Sequence, residues 1–477
     1  MAETLDRPVL VTGATGYIGG LLVPKLLEKG WQVRVFTRDA AKLRDRPWAE
    51  MVEIVEGDAG DAADLGRALA GVGVAYYLLH SMDGQGDFVE RDRAISRTFA
   101  DAARTAGVGR IIYLSGLHPS GELSTHLASR VEVGRTLLAS GVPTIVLQAG
   151  VVMGAGSASF DMLRHLTERL PAMVAPKWLR NRIQPVAIDD VLHYLVASAS
   201  APGQVNRTFD IGGPEVLTYA EMIKRYARVA GLGGRAVATV PVLTPRLASY
   251  WVGLVTPVPA GIARPLVGSL VHEAVVKEND LLALVGKPPA GRTDFDEAVR
   301  RAIQDIDPTR WRRTFAQVGL ATLACAGLGS VLTDPRTAWY RGLRKPAWQP
   351  PATAFPVVWM TLFVSMALAA TAAITELEES GKQSDADAIK VAYLANLTIN
   401  TAWSGLFFRA HRLGAATATA AALAMSAAEL ARRTAPSGVG KAVVFGAYAG
   451  WSSFATALTE AVRRRNPGGG WSPDRWL

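Results

Sequence analysis

Polar and apolar positions follow two regimes along the 477 residues. Up to about residue 312, charges fall at the spacing of a water-facing surface. After that, uncharged runs recur: Thr314–Thr333, Phe355–Thr375, Val391–Phe408, Leu413–Ala428 and Ala442–Thr459. A helix needs roughly 20 apolar residues to cross a hydrocarbon core, so the five runs predict an all-α bundle of five transmembrane helices over residues 312 to 466, then a polar tail over 467 to 477. The run Leu413–Ala428 is short and alanine-rich, and a buried helix in water is the alternative for it.

In the first regime the apolar period switches between two and 3.6. Val9–Thr12, Gln32–Thr37, Val52–Val55, Val74–Leu79, Arg110–Leu114 and Thr144–Leu147 read as strands, and helical spacing covers Gly16–Glu28 and stretches near Asp64–Leu69, Val89–Ala106 and Leu127–Leu138. Alternation of this kind predicts an α/β doubly wound parallel sheet over residues 1 to 230. Residues 231 to 308 follow as an extension and linker. Leu247–Ala263 within it is uncharged, but its prolines argue against a spanning helix.

Composition agrees with a chain that is partly in lipid: 49% of residues are hydrophobic and 19% charged, with positive mean hydropathy. The net charge of +9 does not point to nucleic acid. Basic residues are dispersed or flank apolar runs, as in Arg310, Arg312 and Arg313 or Arg463, Arg464 and Arg465, which favours the lipid bilayer as partner. A lone Cys325 permits no internal disulfide or cysteine metal cluster and reads as a packing residue. The glycine-rich turn near the start precedes any apolar core long enough for a signal peptide, so the first domain is expected in the cytoplasm. Loop charge barely votes on orientation.

Gly13, Gly16 and Gly19 fall between the first strand and the first helix as G-x-x-G-x-x-G, with Thr15, Tyr17 and Ile18 among them. This is a variant of the Rossmann fingerprint: the turn brings backbone close to a pyrophosphate and aims helix amides at it. A purely structural turn is the alternative. At the tip of the second strand stands Thr37-Arg38-Asp39. Asp39 would suit a ribose hydroxyl and Arg38 a 2′-phosphate, so NADP(H) is favoured over NAD(H), unless Arg38 is merely solvated. Asp58, Leu79 and Ser115 follow carboxyl ends of strands, where such sheets bind ligands.

The stretches "TGATGYIGG", "VEGDAGD", "RIIYLSG" and "PVAIDDV" resemble the short-chain dehydrogenase/reductase superfamily in its extended or atypical, NmrA-like branch, over about residues 7 to 230. The resemblance implies that Asp58 contacts adenine, that Ser115 lines the nicotinamide side, and that the extension after residue 230 is on the substrate side. One departure is catalytic. Family reductases pair Tyr with Lys as Tyr-x-x-x-Lys so that a phenol passes the proton, and this chain has no such pair. In its place "THLASR" offers His126 and Arg130 at i, i+4, so Ser115, His126 and Arg130 are the candidate catalytic residues, with His118 of "SGLHP" a second histidine. Solvation of one helix face is the alternative for His126 and Arg130.

Seven of twelve tryptophans lie from Trp339 onward, where an aromatic belt at the headgroups is the general expectation. "WYRGLRKPAWQPPATAFPVVWMTLF", "LTINTAWSGLFF" and "YAGWSSFATALTEAVRRRN" resemble the TspO/MBR family of tryptophan-rich sensory or translocator proteins, over about residues 312 to 466. The resemblance implies a five-helix bundle that binds porphyrins or sterol-like lipids under its first loop and pairs as a homodimer. Trp339 and Trp348 would form the lid, and Trp359, Asn400, Trp403, Trp451 and Phe454 the walls. Arg341, Arg344 and Lys345 would meet propionates or lipid phosphates. A hydrogen bond between helices is the alternative for Asn400. Thr459 and Arg463 stand where the family commonly has Asn and Trp. Three functions stay open: an NAD(P)H-dependent oxidoreductase coupled to a hydrophobic-ligand-binding bundle, an NADPH sensor that regulates the bundle without turnover, or a membrane binding or transport protein whose first domain only anchors or regulates it.

Overall fold

A computed structural model of the chain describes residues 7–80, 88–118, 123–240 and 255–467. It divides into two compact units, Met1–Pro308 and Thr309–Leu477.

The first unit is built on strands β1 (Val9–Thr12), β2 (Val33–Thr37), β3 (Glu53–Glu56), β4 (Val74–Tyr77), β5 (Arg110–Gly116), β6 (Thr144–Ala149) and β7 (Arg207–Ile211). They form one parallel sheet in the order β7-β6-β5-β4-β1-β2-β3. Helices α1 (Tyr17–Glu28), α2 (Ala62–Leu69), α3 (Phe88–Thr105) and α4 (Thr125–Leu138) provide the crossovers. Side-chain alternation along each strand sorts the apolar residues onto two cores. Val9, Val11, Val74, Tyr76, Ile112 and Leu114 enter one, and Leu10, Ala75, Tyr77, Ile111 and Tyr113 enter the other. The sheet is therefore covered on both faces, which is why its strands read as continuous apolar runs. Strand order reverses between β1 and β4, which opens a crevice at their carboxyl ends.

Beyond the sheet, helices α5 (Ala158–Arg169), α6 (Ile188–Ala199) and α7 (Tyr219–Val229) are followed by α8 (Ala260–Ser269), α9 (Asp280–Val285) and α10 (Phe295–Ala302). The described part of 231–308 packs into this unit. Ala236–Val240 pairs in parallel with Ala172–Pro176, Phe295 and Val299 share a core with Tyr219 and Tyr226, and Arg225 is clamped between Glu215 and Asp296 at 2.6 and 2.8 Å. Of the uncharged Leu247–Ala263, residues 247–254 lie outside the described residues. The remainder leads into α8, whose 10 residues are too few to cross a bilayer.

The second unit contains five long helices, α11 (Arg310–Leu332), α12 (Ala354–Glu379), α13 (Gln383–Ser404), α14 (Leu413–Thr434) and α15 (Val439–Arg465). A π-helical turn, Gly405–Arg409, closes α13. By length and composition α11, α12 and α14 are long and apolar enough to cross a membrane. The run that looked weakest in the sequence thus lies in one of the three. Helices α13 and α15 are more polar because they carry the interior: Asn396, Asn400 and Ser404 on one, Ser452 and Thr459 on the other, are all buried. At one end, Glu378 accepts from Lys390 at 2.7 Å and lies 3.9 Å from Arg310, while Lys441 meets Glu376 at 2.6 Å. These pairs tie four of the five helices together.

Candidate functional site

The glycine turn is fixed by sterics on both sides. Thr12 Oγ1 donates to the Tyr76 carbonyl at 2.9 Å and accepts from the Leu78 amide at 3.0 Å, which pins the end of β4 beside the turn. Gly13 has φ +71°, and a Cβ there would lie 2.6 Å from the Leu78 carbonyl oxygen, so the position demands glycine. At Gly19 a Cβ would lie 2.5 Å from the Gly13 oxygen and 2.9 Å from Ala14 Cα, so any side chain would push α1 off the turn. Gly16 is the N-cap of α1 and supplies no side-chain cap, so first-turn amides are available to an anion. Thr15 and Gly16 are exposed there, and Tyr17 and Ile18 half-buried. The Tyr17 ring turns away toward Gly154 and Gly156. Its hydroxyl is pushed up by burial, then by Asp161 and Asp189. It borders a cavity of about 360 Å³ between α1, α6 and α10 that also touches Leu21, Ile188, Leu192 and Arg301.

At the tip of β2 the two rival residues have different tasks. The Asp39 carboxylate accepts from the Ala41 amide at 3.0 Å and caps the short turn Ala40–Leu43. Arg38 is exposed. A second guanidinium, which the sequence did not mark, lies over the turn: Arg46 Nη2 donates to the Thr15 carbonyl at 3.3 Å, and its Nη1 is 3.4 Å from where a Gly20 Cβ would be. Trp48 anchors that loop by donating Nε1–H to the Gly20 carbonyl at 3.2 Å. Asp58 is exposed and accepts from the Gly60 amide at 2.8 Å.

A histidine cluster sits past the ends of β4 and β5. Leu79 is half-buried, and His80 follows it. His80 Nδ1 lies 3.6 Å from Asp92 Oδ2 on α3, which also accepts from Ser129 Oγ on α4 at 3.4 Å. The His80 and His126 rings are 4.7 Å apart and tilted by 54°. Arg130 donates to the Leu114 carbonyl, and its guanidinium carbon is 6.0 Å from the Tyr113 ring centre, so it is fastened to β5 and not simply solvated. Ser115 is buried in β5, and His118 is half-buried two residues past that strand. Burial, then the charges of His80 and Arg130, push the His126 imidazole down to about 3, with Asp92 opposing them. His126 is thus neutral near neutral pH. Burial also lowers His80, against the Asp92 hydrogen bond. Sequence spacing found His126 and Arg130 and missed His80 and Asp92. The one available signal was the position of His80, just past a buried strand.

In the helical unit the aromatic residues form linked groups. Trp339 stacks on His411 at 4.0 Å and meets the edge of Phe407 at 5.7 Å, and Trp403 stacks on Phe407 at 5.5 Å. Trp348 and Trp451 both contact Phe454, at 5.7 and 5.3 Å, and Trp451 also meets Phe355 at 6.0 Å. Trp359 lies 6.1 Å from the Tyr448 ring, and the Tyr448 hydroxyl accepts from Asn400 Nδ2 at 3.1 Å. The Asn400 amide therefore bonds α13 to α15, the helix-to-helix alternative. Two residues were not legible in the sequence. His411 has φ +53°, a left-handed conformation uncommon outside glycine. Asn466 accepts from the Arg344 amide and donates to its carbonyl, at 3.0 and 3.1 Å, and so clasps the first loop to the end of α15. Arg341 bonds the Arg336 carbonyl, and Lys345 Nζ is 3.9 Å from the Tyr340 ring centre. Thr459 is buried and donates to the Ala455 carbonyl, while Arg463 is exposed and pairs with Glu460 at 2.7 Å.

A glycine turn at the switch point of a covered parallel sheet, followed by a helical unit with apolar helices of membrane-crossing length, defines a nucleotide-binding domain fused to a membrane domain. A profile described as NAD(P)H-binding matches residues 13–138, and one described as the TspO/MBR family matches residues 318–465. Protein CrtK of Rhodobacter capsulatus is 31% identical over 156 residues, 32% of this chain and 94% of that protein. The (4-alkanoyl-5-oxo-2,5-dihydrofuran-3-yl)methyl phosphate reductase of Streptomyces griseus is 30% identical over 233 residues, 47% of this chain and 74% of that protein. Among solved structures, the NADPH-dependent quinone oxidoreductase QOR2 of Escherichia coli shares the fold, with TM-score 0.50 and 22% identity over 61% of this chain and 98% of that one. The chain belongs to the TspO/MBR family through its carboxyl-terminal unit and carries an NAD(P)H-binding, reductase-like domain before it.

Proposed function

We propose that the protein is a membrane-bound, NADPH-dependent oxidoreductase whose acceptor is a hydrophobic molecule held or delivered by its helical bundle. The observation that carries this reading is the glycine turn at the β1/β4 crevice, with Ser115 near the carboxyl end of β5 and His126 and Arg130 on α4 beyond it. The first-turn amides of α1 would hold the pyrophosphate, and Asp58 is exposed for adenine. Arg38 and Arg46 favour NADPH over NADH, because Asp39 is committed to its cap and the guanidinium groups are left to meet a 2′-phosphate. When bound, the cofactor supplies hydride; the protein's part is to hold it against the β4 and β5 tips and shield the acceptor from water. The Streptomyces griseus relative named above is a reductase, which supports reduction of a small acceptor here.

The bundle side rests on the TspO/MBR membership: Trp339, Trp348, Trp359, Asn400, Trp403, Trp451 and Phe454 would line or cover a site for a porphyrin or a sterol-like lipid. All five long helices would span the bilayer, with the nucleotide-binding domain in the cytoplasm. Fusion raises the effective concentration of ligand at the reductase without any new contact.

The test uses the full chain in lipid nanodiscs, titrated with NADPH and NADH, then with menadione and protoporphyrin IX. Tighter binding of NADPH and its oxidation by menadione are the expected results. Failure to bind either pyridine nucleotide overturns the reading. The absent Tyr-x-x-x-Lys and a neutral His126 favour a second reading, an NADPH sensor. It predicts no oxidation by any acceptor, and a change in protoporphyrin affinity on NADPH binding that appears reciprocally in NADPH affinity.

A further inference from the structure

A reductase without Tyr-x-x-x-Lys still needs a proton for the acceptor. Hydride forms the new bond to the acceptor with its own electron pair, and the acceptor's broken π bond leaves its pair, with a negative charge, on oxygen. We propose that His80, oriented by Asp92, is the proton donor, and that His126 is its neutral neighbour. The inference rests on the oxidoreductase reading above.

Position comes first. β4 ends at Tyr77, and the Leu78 carbonyl is in contact range of the glycine turn, so the chain carrying His80 emerges at the crevice between β1 and β4. Orientation comes next. Asp92 is 5% exposed, and its Oδ2 faces His80 Nδ1 at 3.6 Å. A carboxylate there favours the tautomer with hydrogen on Nδ1 and leaves Nε2 as the ring nitrogen not engaged by Asp92. His80 Nε2 is itself buried and makes no hydrogen bond among the described residues. An unpartnered buried ring nitrogen beside a carboxylate is the arrangement expected of an acid–base group awaiting a substrate.

His126 does not compete for the role. Its ring lies 4.7 Å from His80 at a tilt, a ring contact and not a relay hydrogen bond. Among the described residues, the charged and titratable groups that face His80 are Asp92 from α3 and His126 and Arg130 from α4, and Ser129 donates to Asp92. Arg130 is tied to the Leu114 carbonyl and disfavours a second positive charge. The Asp92 carboxylate instead favours a positive charge on His80. In the reaction His80 gives the proton on Nε2 to the acceptor oxygen as hydride arrives at the atom conjugated with it. The imidazolium becomes neutral and is recharged from water; the cofactor, when bound, would supply the hydride and be oxidised in doing so. Two electrons and one hydrogen come from the cofactor and one proton from the protein. Because burial holds His80 below the ordinary histidine range, its donor form grows as pH falls below that range, and reduction should accelerate toward acid.

The test compares wild type with His80→Asn, His126→Gln and Asp92→Asn in nanodiscs, with NADPH and menadione. His80→Asn should lower kcat about 100-fold or more, leave the NADPH Kd unchanged, lose the acid rise and recover part of its rate with added imidazole. His126→Gln should keep the acid rise. A readout independent of turnover is ¹³Cε1-histidine NMR of the chain's seven histidines: the resonance missing in His80→Asn should titrate below the ordinary range, and lower still in Asp92→Asn. If wild type turns over and His80→Asn keeps its rate and pH profile, the inference is overturned and the oxidoreductase reading stands. If wild type binds NADPH and oxidises it with no acceptor, both are overturned.

Discussion

The two units hide opposite kinds of residue. In the nucleotide-binding unit, strands bury Val, Ile, Leu and Tyr, and exposed large apolar side chains are few, such as Leu21, Met51, Val174 and Val216. In the helical unit Leu320, Leu323, Val331, Val357, Met360 and Val391 are exposed, while Thr322, Thr371, Thr375, Asn396, Asn400, Ser404 and Thr434 are buried. Water drives apolar surface inward in the first. In a bilayer that drive is absent between helices, so small residues and short hydrogen bonds do the packing. The buried threonines meet the demand locally: Thr322, Thr371, Thr375 and Thr434 each donate to the carbonyl four residues back, at 2.7 to 2.8 Å. The contrast teaches that one chain has been built for two solvents, and that each site inherits its chemistry from its own. The crevice gathers charge and titratable groups, whereas the bundle gathers aromatic rings and buried amides such as Asn396 and Asn400.

Four changes would break or sharpen that contrast. Gly13→Val places a side chain against the Leu78 carbonyl at a positive φ. NADPH affinity should fall at least about 100-fold, on the order of 3 kcal/mol, with protoporphyrin quenching of tryptophan fluorescence unaltered; a parallel loss of both would mean the units do not act separately. Arg38→Ala comes next. NADPH Kd should rise about 10- to 100-fold while NADH Kd stays constant, as isothermal titration can show, and an equal effect on both nucleotides would remove Arg38 from the 2′-phosphate.

The third change is in pH. His126 is held near 3 in the fold against 6.5 in the unfolded chain, so the unfolded state binds the extra proton between those values. Stability of the first unit should be full above pH 6.5 and decline as pH falls from there toward 3. The unfolding midpoint should drop by about 2–4 °C for each kcal/mol lost, and His126→Gln should flatten the decline. A midpoint that rises on acidification would contradict the burial of that ring. The smallest effect belongs to Asn400→Leu. It removes the bond to Tyr448 within the bundle and should destabilise it by about 0.6–2 kcal/mol, read by detergent-denaturant titration. Loss of protoporphyrin binding at unchanged stability would instead mark Asn400 as a ligand contact.

Much of the frame was legible. The strands predicted at Val9–Thr12 and Arg110–Leu114 match β1 and the start of β5, and the helix over Gly16–Glu28 begins one residue later, at Tyr17, because Gly16 is its cap. Binary pattern finds such elements because each strand or helix must show its apolar face to one core. The π-helical turn at Gly405–Arg409 and the left-handed His411 were not legible, since neither period nor propensity distinguishes "GLFFRAH" from the end of an ordinary helix. Which of Arg38 and Asp39 caps the next turn could not be judged from adjacency; the structure gives that task to Asp39.

By itself the sequence determined two solvents, a glycine turn that approaches an anion, and an aromatic loop, because spacing, polarity and steric freedom are local properties of the chain. Tertiary structure decided which groups meet. It set His80 against Asp92 and His126, fastened Arg130 to β5, brought Arg46 over the glycine turn, and gave Asn400 to Tyr448. Those pairings join residues from different strands, loops and helices, and only packing fixes the distances at which a ring nitrogen, a guanidinium or an amide acquires its chemistry.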